Sequence, residues 1–223
     1  MWYVFCTTVL LFKKMEVFIM AGFYPYNPGL GQGMQSDVSG DLIDRAFVAH
    51  FAITAVNALA PVATGIHAAV TDDSTTQVIT TAITNPLVPR TVTATAGGTA
   101  ADIKAIAVTV TGTDINDEVL TEVLPVFTVN TAGIVQGTKA FKTVTSISIP
   151  AHDGTGATTA IGFGDKYGLP YKRAHLPVVA AYLNNALEAT AATITASATV
   201  LSLNTIDLNS ASNGTAIDAY LLV

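Results

Sequence analysis

Four histidines, His50, His67, His152 and His175, are the side chains of this chain best suited to metal binding or to proton transfer near neutral pH. They lie far apart in sequence, and none has a second histidine or a carboxylate at metal-ligand spacing, so they read as surface or turn residues. Asp153-Gly154-Thr155-Gly156 offers a short acidic loop that could hold a cation. It lacks the further carboxylates of a calcium site, and Asp-Gly is a favoured turn pair, so a hairpin turn is expected. Gly162-Phe163-Gly164-Asp165 has the glycine content of a phosphate loop, but it precedes no helical pattern and carries no Lys-Ser/Thr pair. Asp117, Glu118 and Glu122 fall near one hairpin and raise the carboxylate pair of glycosidic cleavage. Acids on an antiparallel edge more often serve solvation and guard against unwanted strand pairing. No Gly-x-Ser-x-Gly elbow occurs, and the single cysteine, Cys6, excludes an internal disulfide and a cysteine-based zinc site. The sequence thus names no catalytic residue, no metal ligand and no cofactor, and it reads as a protein that is not an enzyme.

The elements that would position these residues are strands. Half of the residues are hydrophobic and only 12% are charged, with Ala, Val and Ile interleaved with Thr, which suits a pleated, half-buried surface. A net charge of −6 with few Lys and Arg argues against nucleic acid as a partner. Short apolar-polar segments recur between turn formers: Ile66 to Val70 before Asp72-Asp73-Ser74, Gln77 to Thr84 before Asn85-Pro86, and Arg90 to Ala96 before Gly97-Gly98. That spacing predicts an antiparallel sandwich or barrel. The best hairpin is Lys104 to Pro125, with Ile106, Val108 and Val110 facing one way, Ala105, Ala107 and Thr109 the other, and Val119, Thr121 and Val123 on the returning strand. A strand over Ala140 to Pro150 carries Phe141, Ile147 and Ile149 on one parity and Val144 on the other, a slip that predicts a bulge or twist. Asp41 to Pro61 fits both periods and is read as strand. The last third continues with Val178 to Leu183, Ala191 to Leu203, Asn204 to Leu208 and Ala216 to Val223, while Leu183 to Thr190 could be one helical turn. The fold expected is an all-β antiparallel sandwich. Its main domain spans 41–170, and 171–223 completes the sandwich or forms a small subdomain.

Ahead of it lie two segments. Trp2 to Phe12 is apolar but is followed, not preceded, by Lys13 and Lys14, and it is too short to cross a bilayer, so neither a signal peptide nor a membrane anchor is expected. Met15-Glu16-Val17 can be encoded by a purine-rich ribosome-binding sequence upstream of Met20. Residues 1–19 are therefore read as a mis-assigned extension, with starts at Met1, Met15 and Met20 as the alternatives. Residues 20–40, with Pro25, Pro28, Gly29, Gly31 and Gly33, read as an extended arm. Phe23, Tyr24, Tyr26 and Leu30 are its candidate contact residues, since aromatics dominate interface energetics; aromatics also dominate cores.

Thr109-Val110-Thr111-Gly112-Thr113-Asp114, then Glu118-Val119-Leu120-Thr121-Glu122-Val123-Leu124, and later Thr138-Lys139-Ala140-Phe141-Lys142-Thr143-Val144-Thr145-Ser146-Ile147, resemble tailed-bacteriophage virion proteins. The resemblance covers mainly Arg90 to Tyr171. The proteins it resembles usually carry Asn-Gly in the hairpin turn where this chain has Asn116-Asp117, so a longer loop is expected here. The resemblance implies a structural role in the particle and no catalytic residues. The function expected is that of a capsid decoration or cement protein, a homo-oligomer bound to the major capsid protein or other virion proteins, made in the host cytoplasm and located in the virion. The alternative is a tail or fibre component acting as a carbohydrate- or receptor-binding module, for which Tyr167, Tyr171 and Tyr182 could supply exposed aromatics.

Overall fold

Alternating Thr and β-branched residues set the architecture, because each strand has one apolar face to bury and one polar face to leave in water. The computed structural model describes residues 48–173 and 176–222; the arm residues Phe23, Tyr24, Tyr26 and Leu30, together with Cys6 and His175, lie outside the described residues. Within them the chain is all-β and antiparallel, with strands β1 (Val48–Ile53), β2 (Val62–Thr71), β3 (Gln77–Ile79), β4 (Arg90–Gly98), β5 (Thr109–Thr113), β6 (Val119–Val123) and β7 (Gly133–Phe141). The series continues through β8 (Thr143–Ile149), β9 (Ala157–Gly168), β10 (Val178–Leu183), β11 (Ala186–Leu187), β12 (Thr193–Thr195), β13 (Thr205–Asp207) and β14 (Ile217–Leu222).

The strands form three sheets. A six-stranded sheet runs β12-β13-β9-β4-β7, with β2 also paired to β9. A threonine-rich sheet runs β3-β8-β5-β6, and a C-terminal sheet runs β1-β14-β10-β11. The six-stranded and threonine-rich sheets face each other over a core that includes Ile66, Val92, Ile161 and Phe163 from one and Val110, Leu120, Val144 and Ile147 from the other. A second core joins Ile53, Ala181, Ile217, Ala219 and Leu221 of the C-terminal sheet to Ile194, Ile206 and Tyr167 at the β12-β13 end of the six-stranded one. Strand β9 contributes to both.

One polar side chain sits where the cores meet. Arg90 opens β4 and is 1% exposed. Its guanidinium lies between the rings of Phe163, from the first core, and Tyr167, from the second, at 4.6 and 4.5 Å from their centroids. Nη1 donates to the Leu59 carbonyl at 2.7 Å and Nη2 to Ser212 Oγ at 3.2 Å, while Ser212 itself donates to the Leu59 carbonyl at 3.1 Å. Burial lowers the guanidinium pKa and pushes the Tyr167 phenol up, but an arginine so far above neutrality keeps its proton. The charge is held by aromatic faces and neutral oxygens rather than by a carboxylate.

Several segments depart from the sequence reading. The expected strand over Ala140 to Pro150 is two strands: β7 ends at Phe141, and at Lys142 the chain leaves the six-stranded sheet for the threonine-rich one. The phase slip is a bulge within β8, where pairing with β5 jumps from Thr111↔Ser146 to Gly112↔Val144 and leaves Thr145 unpaired. Gly112 is required there, because a Cβ would run into the Thr143 carbonyl. Only Gln77–Ile79 of the Gln77 to Thr84 segment pairs, and Ala191 to Leu203 reduces to β12 and a 3-10 turn at Leu201–Leu203. Leu183 to Thr190 holds a tight hairpin in place of a helical turn. Leu183 pairs with Ala186, and Asn184 and Asn185 both take positive φ, 53° and 61°. That is the backbone of a type I′ turn, for which Asn is among the few suitable residues.

Candidate interaction surface

Among the described residues, His152, Asp102, Asp114 and Glu122 are engaged in hydrogen bonds that hold loops and strand edges. His152 is buried among three loops at one end of the sandwich. Its Nδ1 accepts the Lys104 N–H at 3.2 Å, which places the ring proton on Nε2, 3.0 Å from Thr159 Oγ1. Its own N–H is accepted by Asp72 Oδ1 at 2.9 Å, and Phe127 packs against the ring at 6.0 Å. Burial lowers the His152 pKa from its ordinary value, against the opposing pull of Asp72 and Asp153. A folded-state pKa below that of the free side chain means that the unfolded chain binds the proton more readily. Its stabilising effect is therefore whole above about pH 6.5, the ordinary histidine value, and is lost as pH falls through and below it. The expected result is a melting temperature that drops between pH 7 and pH 5 in the parent, and a visibly flatter profile in His152→Gln. Equal slopes in the two proteins would refute the assignment.

The other histidines are separate. His67 Nδ1 lies 2.8 Å from the carbonyl of Ala68, and His50 Nε2 lies 2.8 Å from Asp218 Oδ1 on the C-terminal sheet. Asp153-Gly154-Thr155-Gly156 is a turn closed on Asp102: Oδ2 of Asp102 accepts the Gly156 N–H at 2.9 Å, its carbonyl accepts that of Asp153, and Asp153 pairs with Lys104 at 3.0 Å. Among the described residues no group of three His, Cys, Asp or Glu is placed to hold a metal. Gly162 and Gly164 lie inside β9, where side chains would collide with the β2 backbone and with Gln136. That segment is packed strand and offers no loop for a phosphate.

The hairpin acids divide. Asp114 caps the turn, accepting the Asn116 and Glu118 N–H groups through Oδ1. Between the last paired residues, Thr113 and Val119, lie Asp114 to Glu118, and Asp117 adopts φ +65°. The loop is longer than a two-residue turn, with Asp117 in the position a glycine would fill. Its carboxylate meets Lys142 Nζ at 2.8 Å in an exposed pair. Glu122 is not an exposed edge acid. It is buried, and it accepts the Thr138 N–H at 2.7 Å, the Thr138 hydroxyl at 2.9 Å and the Lys139 N–H at 3.2 Å. Lys139 Nζ returns the favour, donating to the Thr121 carbonyl at 2.8 Å. Side chains thus bridge the edge of β6 to the edge of β7. Of the hairpin acids, Asp114 and Glu122 are thus spent on backbone N–H groups and Asp117 on Lys142.

One cleft, lined by Pro89, Ile115, Ala140, Gly168, Leu169, Leu201 and Ser202, holds about 170 Å³ of empty space, part of it open to solvent, below the roughly 300–1,000 Å³ of ligand pockets.

What the fold presents instead are sheet faces. On the outer face of the threonine-rich sheet, the register lines up Val78, Ser148, Thr109 and Val123 in one row. Ser146, Thr111 and Thr121 form a second row, and Thr143, Thr113 and Val119 a third. No residue of these rows is charged. Thr113 and Thr143 hydroxyls lie 2.7 Å apart and those of Thr111 and Thr121 3.3 Å apart, so part of the polar content is satisfied within the face. Val119 is 82% exposed, and Val78 and Val123 are each 64% exposed. Sequence alternation placed Val119, Thr121 and Val123 on one side of the strand; the side that faces the core carries Leu120 and Glu122.

The C-terminal sheet bears an aromatic group on its outer face. His50 stacks on Tyr220 at 4.8 Å, and Tyr182 meets Tyr220 edge-on at 6.2 Å. Of the tyrosines considered as exposed binding aromatics, Tyr167 is buried in the second core, Tyr171 packs against the same core, and Tyr182 belongs to this face. Tyr220 was missed by sequence reasoning, although its alternation with Asp218 along β14 was a usable signal.

Among the described residues no helix is long and apolar enough to cross a membrane. No family model matches the chain, and neither a curated protein nor a solved structure matches it.

Proposed function

We propose that this protein is a structural component of a phage particle, a capsid decoration or cement protein that stabilises the head through protein–protein contacts. The observation that carries this reading is the uncharged Val/Thr face of the threonine-rich sheet, on which Val78, Val119 and Val123 are exposed. A broad face of this kind suits a protein partner rather than a small substrate, since specific interfaces bury about 800 Å² per partner. Its valines supply apolar area, and its hydroxyls satisfy each other or a partner's backbone. The resemblance of the Thr109 to Ile147 strands to tailed-phage virion proteins supports the same role.

Co-sedimentation with empty capsids of the parent phage tests it. The intact protein is expected to pellet with capsids, and the Val119→Glu/Val123→Glu double variant to lose at least ten-fold in affinity, because two buried, unpaired carboxylates cost more than the 1.4 kcal/mol of a decade. Both valines are exposed, so the fold should survive the change. Failure of the unaltered protein to bind capsids would sink the decoration role.

A second reading, a tail or fibre component that binds a carbohydrate or receptor, draws on the His50, Tyr220 and Tyr182 group with Asp218 beside it. Glycan binding that is lost in Tyr182→Ala, without capsid binding, would favour it.

A further inference from the structure

The strand edges of this fold are treated unequally. Strand β6 carries Glu122 and β7 carries Lys139, and these two side chains bridge one edge to the other. Strand β2 is long but broken by register irregularities on either side of His67. Strands β3 and β12 are three residues long and β11 two, too short to template a partner. Strand β1 differs from all of these. It is Val-Ala-His-Phe-Ala-Ile, with no Lys, acid, Pro or Gly, and it pairs with β14 in unbroken register from Val48↔Leu222 to Ile53↔Ile217. Among the described strands only β14 pairs with it. A regular, uncharged edge of this length is the kind that pairs with another chain.

We infer that β1 is a homodimer edge, pairing antiparallel with β1 of a second copy so that the C-terminal sheets of two chains become one. A second copy is the occupant the strand itself specifies. Antiparallel pairing of a strand with its own copy generates a two-fold axis, the commonest symmetry of soluble oligomers. Such an axis stands perpendicular to the sheet and keeps core-facing residues beside core-facing residues. Centred on Phe51, it sets Phe51 against the second copy's Phe51, Ala49 against Ile53 and His50 against Ala52. Phe51 is only half-buried at the rim of the second core, and the second copy's ring would complete its burial. Centring on His50 would instead oppose two imidazoles and leave the phenylalanine rings apart. On the outer face, His50 holds the Asp218 carboxylate of its own chain at 2.8 Å, and β1 itself brings no acid to the axis.

This inference does not depend on a role in a virion, and its test uses the full-length chain alone, without capsids. Sedimentation velocity over a range of concentrations should show a monomer–dimer equilibrium. Ala52→Lys puts a cation on an exposed position of the edge, and it is expected to raise the dimer dissociation constant at least ten-fold. Circular dichroism should show that its fold is unchanged. In a Cys6→Ser background, Phe51→Cys should form an intermolecular disulfide under mild oxidation, while Val56→Cys, exposed beyond the strand, should not. A monomer at every concentration, a dimer indifferent to Ala52→Lys, or equal cross-linking at the two positions would each overturn the assignment.

Discussion

Arg90→Ala is expected to lower the unfolding free energy by about 3–5 kcal/mol, the range for emptying a large side chain from a closed core. The cavity would open where the two cores meet, so both lose packing at once. Phe163 and Tyr167 lose the cation between their faces, and Ser212 Oγ loses the donor at 3.2 Å. The Leu59 carbonyl keeps one partner, because Ser212 donates to it directly. That detail separates volume from charge. Arg90→Met retains much of the volume, removes the cost of burying a cation, and leaves the Leu59 carbonyl bonded; it should recover more than half of the loss. Arg90→Lys should recover less, since an ammonium is more strongly hydrated and cannot lie flat between two rings. Urea midpoints of the three variants give the ordering. An Arg90→Ala protein within about 1 kcal/mol of the parent, the centre of the distribution for ordinary substitutions, would show that the junction is not sealed as described.

None of that network was legible in the sequence. Arg90 opens a Thr/Val strand and looks like a polar strand end, because its partners at Leu59, at Phe163 and Tyr167 of β9, and at Ser212 come from three separate regions of the chain. What could be read was local. The Thr109 to Val123 hairpin follows from period-two alternation around a turn, and the bulge in β8 from the slip between Val144 and Ile147. The change of sheet at Lys142 was invisible, because Phe141 and Val144 are buried in the same core and look like one strand. The hairpin at Asn184-Asn185 had a signal, two residues tolerant of positive φ in succession, that the apolar flanks obscured. Strand β6 shows why function resists this kind of reading. Its two parities, Val119-Thr121-Val123 and Leu120-Glu122-Leu124, differ by one carboxylate, and that carboxylate marks the inner side. An interaction face of Val and Thr has the composition of a core face, and only the partner sheets determine which one it is.

The buried carboxylate of Glu122 carries the second large expected effect. Glu122→Ala should cost about 3 kcal/mol, the upper end for hydrogen bonds to a charged group, because the Thr138 and Lys139 N–H groups and the Thr138 hydroxyl lose their acceptor together. Glu122→Gln keeps one acceptor oxygen but turns an N–H₂ toward the donors, and about half of the loss should remain. A second consequence follows from the position of this residue between two strand edges. Without the bridge, β6 and β7 each expose unpaired backbone groups, and the alanine variant should associate at concentrations where the parent does not. Gly137 supplies the check on cause, since a Cβ there would occupy the space of Glu122 Oε2 and Leu124 Cδ2. Gly137→Ala alone should destabilise by expelling the carboxylate from its seat. Combined with Glu122→Ala, however, the new Cβ no longer meets the carboxylate and has only the flexible end of Leu124 to displace. The double variant should therefore be more stable than the sum of the single losses allows, by at least about 1 kcal/mol, as for residues in direct contact. Strict additivity would mean that the carboxylate and the glycine act independently, and that the bridge between the two edges is not what holds them.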